Sequence, residues 1–400
     1  MMKRWLRWEG LAGAMLLGAA LAALGWANSP WRHGYAALWH TAATIGAGRF
    51  AISAPLEWWV NDLLMALFFL QVGLEIKYEL TEGRLNSFRA AATPAIAAVG
   101  GMVAPIALYA ALAHGGGAAH GWGIAMATDI AFALGVMRAL GPRVPASAAA
   151  FLTALAIIDD LGAILVIGLF YAATLSLAAL GAAAAATAVL IAINLAGFRR
   201  LWPYLLIGAG LWCAVAMSGV HPTIAGVIVG LCVPGSARRG RGSHDAPGDE
   251  FLAVEPHREE RHAAPLRHLE HLLNPWVNFA ILPIFALANA GLSFGALGLG
   301  AIAAPAAAGT ALGLMIGKPI GVIGATALAV WTGVGALPRG MTWRTLVGLG
   351  MLAGIGFTMS LFIAKLAFGD RSDLIDEAKL AILAASTVSA IAGALVLRRG

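Results

Sequence analysis

Apolar runs long enough to cross a bilayer recur from one end of this 400-residue chain to the other, and they leave it few ways to fold. Inside hydrocarbon every backbone N–H and C=O must find a partner within the protein, so a spanning segment is a helix or part of a closed barrel. A helix rising about 1.5 Å per residue needs roughly 20 residues to cover a core of about 30 Å. Twelve runs approach or exceed that length: residues 11–27, 58–80, 91–113, 121–139, 147–172, 176–197, 202–217, 220–233, 272–291, 300–327, 345–368 and 374–397. The seventh and eighth are short for a full crossing. Only 12% of the residues are charged and 60% are hydrophobic, whereas a soluble domain carries about 25% charged residues. The expected class is an all-α polytopic membrane protein with twelve transmembrane helices, one integral unit over residues 1–400. Fifty glycines and alanine-dominated runs let helix backbones approach closely in lipid. Cys213 and Cys232 both lie in apolar stretches and imply neither a disulfide framework nor a thiol-rich metal site.

A net charge of +6 and an isoelectric point near 9.7 raise the question of a nucleic-acid partner. The placement of the charges answers it. Twenty of the 26 Lys and Arg residues fall at the two termini or in every second gap: Lys3, Arg4, Arg7, Lys77, Arg84, Arg89, Arg138, Arg143, Arg199, Arg200, Arg238, Arg239, Arg241, Arg258, Arg261, Arg267, Arg339, Arg344, Arg398 and Arg399. The alternate gaps hold Arg32, Arg49, Lys365, Arg371 and Lys379, and Lys318 lies inside a segment. Cytoplasmic loops concentrate Lys and Arg, so this alternation predicts both termini in the cytoplasm and accounts for the basic balance without nucleic acid. The first segment has the basic start and small-residue end of a secretory signal. Its removal would leave an odd number of spans, so it is read as a retained helix. The polar stretch 234–271 reads as a cytoplasmic loop leading into a helix. The outer connection 28–56 carries Trp31, Tyr35 and Trp39, read as interfacial anchors or as a short hairpin making a subunit contact.

Asp159 and Asp160 stand side by side in FLTALAIIDDLGAILVIGLFY, residues 151–171. A carboxylate at that depth costs about 2.5–3.5 kcal/mol on insertion scales, and two together call for an ion or proton site. Neighbours on a helix point about 100° apart. One aspartate can therefore face a water-filled funnel while the other faces a neighbouring helix and a cation such as Lys318. Lys318 sits well inside the tenth segment, flanked by Gly313, Gly317 and Gly321, a smooth face for close packing. Its expected task is to pair with a buried aspartate or to neutralise a helix C-terminal end.

Segments three to five (91–172) and ten to twelve (300–397) are triplets that start on opposite sides of the membrane by the charge pattern, hence candidates for inverted repeats. Each middle segment is unusual. The fourth holds Thr128 and Asp129 at its centre; the eleventh holds Gly348, Gly350, Gly354 and Gly356. Both suit interrupted, crossing helices whose broken ends expose partial charges.

The stretches 61–80 (NDLLMALFFLQVGLEIKYEL), 127–136 (ATDIAFALGV), 152–164 (LTALAIIDDLGAI), 219–230 (GVHPTIAGVIVG), 274–291 (NPWVNFAILPIFALANAG), 316–321 (IGKPIG) and 354–368 (GIGFTMSLFIAKLAF) resemble, in order, the NhaA sodium/proton antiporters of bacterial inner membranes. The resemblance implies that Asp160 is the principal Na+ ligand, with Asp159 beside it pairing with Lys318. It places Thr128 and Asp129 at the crossing of two broken helices. It ties Glu75, Glu79, Glu270, His271 and His221 to pH regulation. It further implies exchange of cytoplasmic Na+ or Li+ for more than one external H+, a homodimer in the lipid bilayer, and no cofactor. Two positions depart from the family pattern: Tyr78 where an arginine is frequent, and Asn274 where a second histidine is frequent.

Burial penalises a bare carboxylate charge, so protons and a sodium ion compete for the same oxygens, and Asp159 with Lys318 titrates as a coupled unit. Other classes fit less well. An intramembrane aspartyl protease needs its carboxylates on two helices converging on one water, and the main pair here is adjacent on one helix. A channel lines a pore with symmetric rings and gives interrupted helices no task. An antiporter of another monovalent cation stays open. His257, His262, His268 and His271 invite a metal reading, but only His268 and His271 share a helical face; solvated, protonatable loop histidines are the plainer reading.

Overall fold

The apolar runs fold as helices. A computed structural model describes residues 2–46, 51–83, 88–141, 144–172, 175–235, 265–296 and 299–398. Among these, eight helices are long and apolar enough to cross a membrane: Gly10–Ala27, Leu56–Thr81, Ala91–Leu112, Ala146–Phe170, Leu177–Leu195, Pro265–Asn289, Pro305–Trp331 and Ser372–Arg398. Two bent pairs, Gly116–Met126 with Ile130–Ala139 (48°) and Trp343–Ala353 with Phe357–Phe368 (42°), raise the number to ten if each pair is one span. Leu201–Ala216 and Thr223–Cys232, the seventh and eighth expected segments, are shorter apolar helices. The structure thus supports eight to ten crossings by length, fewer than the twelve expected.

Several boundaries moved for identifiable reasons. The ninth helix begins at Pro265, ahead of the expected 272, because its first turns carry Arg267, His268, Glu270 and His271 and hide from a hydropathy reading. Residues 236–264, with Arg238, Arg239, Arg241, Arg258, Arg261, His257 and His262, lie outside the described residues, as do Arg49, Arg84, Arg143 and Arg399. Lys365 and Lys379, expected in a gap, are inside the helices Phe357–Phe368 and Ser372–Arg398. Two π-helical turns, Val277–Ile281 and Gly313–Gly317, each stand just before a proline, Pro283 and Pro319. A proline ring clashes with the carbonyl four residues back, and a wider turn relieves it.

The 28–56 connection resolves into a helix, Arg32–His40, and an antiparallel pair of strands, β1 (Ala42–Ile45) and β2 (Ile52–Pro55), in the register Ala42↔Pro55. An all-α description therefore needs this hairpin added. Of the tryptophans there, Trp31 is 76% exposed and Trp39 is buried. The Tyr35 hydroxyl reaches the carbonyls of Leu287 (2.8 Å) and Ala288 (3.0 Å) and so ties the connection to the ninth helix.

Small residues set the packing around Lys318. The helix Phe88–Leu112 lies against the Lys318–Trp331 helix, and a Cβ added to Gly321 would stand 2.1 Å from Gly100 O. That oxygen is backbone and cannot swing away. Gly321→Ala is expected to destabilise the protein by about 1–3 kcal/mol through overpacking, read as a lower Tm of the detergent-solubilised protein. The first segment is equally built in. Leu16, Ala20 and Ala23 are buried, and the Met2–Ala27 helix packs on Ile130–Ala139 and Leu282–Asn289.

Candidate functional site

Thr128 and Asp129 stop the first broken helix because short polar side chains can satisfy the backbone groups that a break exposes. Ala127 and Asp129 are extended (φ −85°, ψ 147° and φ −84°, ψ 100°). The second helix breaks at Gly354–Gly356, between Ala353 and Phe357. The breaks meet: Asp129 N donates to Ile355 O at 2.7 Å.

Four half-helix ends converge there, two positive and two negative. The Asp129 carboxylate serves both positive ends. Its Oδ1 accepts from Phe132 N at 2.9 Å, and its Oδ2 accepts from Thr358 N at 3.1 Å and from the Thr358 hydroxyl. Lys318 serves the negative end of Gly116–Met126, donating from Nζ to Met126 O. Ser360 Oγ donates to Ile124 O of the same half-helix at 2.7 Å. The carbonyl of Ala353 ends the other half-helix and lies 2.9 Å from Thr128 Oγ1. One anion and one cation thus compensate the crossing.

The helix Ala146–Phe170 runs unbroken past this point and presents its two aspartates in different directions. Asp159 is fully buried; its Oδ2 lies 2.6 Å from Lys318 Nζ and 2.8 Å from Thr128 Oγ1. The threonine has one proton and two acceptors, Asp159 and Ala353, so it can satisfy only one at a time. Asp160, 1% exposed, points instead into a cavity of about 510 Å³, whose wall also includes Asp129, Thr358, Glu75, His271 and Asn278. Asp160 Oδ1 is buried without a hydrogen-bond partner, and so is Asp159 Oδ1. Asp159 does not line the cavity. The cavity thus reaches Asp160, while Asp159 stands behind it with its Oδ2 engaged by Lys318 and Thr128.

The expected regulatory residues separate. Glu75 and His271 line the cavity, His271 at its exposed end. Glu270 and Glu79 lie nearby but off its wall, and Glu270 Oε2 is buried without a hydrogen-bond partner. His221 is elsewhere. Its Nε2 is 3.7 Å from Asp62 Oδ1, and its ring packs 5.3 Å from that of Phe362. Tyr78 carries the Arg267 guanidinium 3.8 Å above its ring and accepts a hydrogen bond from it. A cation thus reaches this departure from the neighbouring helix. Asn274 lines the cavity and accepts from the Asn278 amide. Among the described residues no three His, Cys, Asp or Glu side chains gather into a metal-holding group. Thr358, Ser360, Asn278 and Gln71 were missed as site residues. Each stood within the sequence stretches quoted above, as a polar residue in apolar company.

The sequence matches the family described as Na+/H+ antiporter 1 over residues 3–397. The chain belongs to that family. It is 50% identical to a protein of Rhodospirillum rubrum named Na(+)/H(+) antiporter NhaA, over 98% of this chain and 96% of that one. A protein of the same name from Oleidesulfovibrio alaskensis is 46% identical over 99% and 93%. Na(+)/H(+) antiporter NhaA 2 of Pseudomonas savastanoi pv. phaseolicola is 45% identical over 99% and 94%. An antiporter of this family is a transporter and not an enzyme.

Proposed function

We propose that this protein exchanges cytoplasmic Na+ or Li+ for external H+ across the bacterial inner membrane, electrogenically and under pH control. One observation carries the reading: Asp160 ends a cavity with a buried, unpartnered carboxylate oxygen, while Asp129 beside it is fully occupied by two helix ends. A bare carboxylate there is costly in low dielectric. A proton or a sodium ion relieves the cost, and the two exclude each other. If the empty site cannot reorient, exchange is obligatory. Lys318 and Asp159 hold the crossing together as a buried ion pair. Thr128, with one proton for two acceptors, is the piece that can choose between the aspartate and the broken helix.

The architecture we infer is one antiporter domain over residues 1–400 with twelve spans. Leu201–Ala216 and Thr223–Cys232 count as crossings, both termini are cytoplasmic, and so is the 234–271 loop. Inverted repeats over about 91–172 and 300–397 place the two broken helices symmetrically. The chain works as a homodimer in the lipid bilayer. Glu75, Glu79, Glu270 and His271 gather at the funnel, and with His221 they set the pH response.

The direct test is acridine-orange dequenching in everted vesicles, with NaCl, LiCl and KCl added across a range of pH. Sodium and lithium are expected to release the dye and potassium is not. Release by potassium alone would favour an antiporter of another monovalent cation, and no release by any salt would end the proposal.

A further inference from the structure

Phe68, Gln71, Val72 and Glu75 line the cavity from the helix Leu56–Thr81, at spacings of three and four that stack them on one face. His271, Asn274 and Asn278 line it from the Pro265–Asn289 helix. Within this wall Gln71 is out of keeping with its neighbours. It follows Leu70 and precedes Val72, yet its side-chain Oε1 is buried with no hydrogen-bond partner. Folded proteins carry few such atoms, because a buried acceptor without a donor loses its water for nothing. Asn278, which lines the same cavity, gives its amide to Asn274 instead. A leucine would fill the same space without the cost. The residue itself lines a cavity whose wall also includes Glu75 and Asp160.

We propose that Gln71 is a cation ligand of the funnel. Its amide oxygen, with the Glu75 carboxylate one turn nearer the exposed end, holds a partly dehydrated Na+ or Li+ on its way to Asp160. Small hard cations take oxygen ligands. A neutral oxygen adds coordination without adding charge, so it replaces a water and still lets the ion go, as a pathway with several weak sites requires. The inference rests on the exchange reading above and deepens it, by adding a second station with its own ion preference.

The experiment measures apparent KM and maximal rate for Na+ and for Li+ in reconstituted vesicles, for the parent protein and for Gln71→Leu, Gln71→Met and Gln71→Glu. Both oxygen-free variants are expected to raise the sodium KM about tenfold with the maximal rate within about twofold, the loss of roughly one good oxygen contact. The ratio of lithium to sodium KM is expected to change with them, and Gln71→Glu to bring the sodium KM back to or below the parent value. A role in packing alone would lower the amount of active protein and leave both KM values alone. Unchanged KM values in Gln71→Leu, with exchange present in the parent, overturn the inference and leave the exchange reading standing. Absence of sodium-dependent exchange in the parent overturns both.

Discussion

Asp160→Asn is expected to abolish sodium-dependent proton movement, a loss of about 100-fold or more in rate, which corresponds to roughly 2.7 kcal/mol at the barrier. Asparagine keeps the size of aspartate and one carbonyl oxygen. It can neither lose a proton nor carry the charge that makes a cation welcome in low dielectric. Neighbours cannot take over. Asp129 is engaged by Phe132 N, Thr358 N and the Thr358 hydroxyl, and Asp159 by Lys318 and Thr128. Among the described residues Asp160 Oδ1 has no hydrogen-bond partner to lose. The variant is therefore expected to accumulate and melt like the parent, which separates a transport defect from a folding defect. Dequenching in everted vesicles and calorimetric titration of the purified protein with sodium should both fall silent. Full exchange in the variant would show that another carboxylate carries the ion.

Much of this site was legible in the sequence because lipid makes polar residues expensive. Asp129, Asp159, Asp160 and Lys318 stand out in apolar runs, and the helix period alone separates the two adjacent aspartates. The structure gives them the expected division, one to Lys318 and one to the cavity. The broken helices were equally visible, since Thr128–Asp129 and the Gly354–Gly356 cluster weaken a helix in opposite ways. What one dimension hides is partnership between distant backbones. Nothing local says that Ala353 O meets Thr128, or that Ser360 caps Ile124 O. The short helices after Arg200 were doubtful in sequence and remain short in structure, because hydropathy marks where a chain avoids water and not how deep it goes. The outer aromatics show the same limit. Tyr35 looks like an anchor by composition, yet its hydroxyl bonds backbone some 250 positions away.

Lys318→Met is expected to be the most destabilising substitution in the crossing. The ammonium is fully buried and serves Asp159 Oδ2 at 2.6 Å together with Met126 O at a helix C-terminal end. Methionine fills a similar volume and removes both. Asp159 then keeps only the Thr128 hydroxyl, which Ala353 O also claims. Breaking a buried pair from one side costs about 3–5 kcal/mol, because the remaining charge has lost its partner and cannot recover water. Thermal unfolding in detergent should show a clear drop in Tm, with sodium exchange reduced in step. The decisive variant is the double one. Asp159→Asn with Lys318→Met removes both charges, and a neutral pair in apolar surroundings is often tolerated. It is expected to melt above Lys318→Met, with a coupling of about 0.5–3 kcal/mol between the sites. Met126 O and its half-helix end stay uncompensated in both, so recovery is expected to be partial. A double variant that melts no higher than Lys318→Met would mean that the lysine is needed chiefly by the broken helix and only secondarily by the aspartate. The order of the melting temperatures therefore assigns the buried cation to the dipole or to the carboxylate.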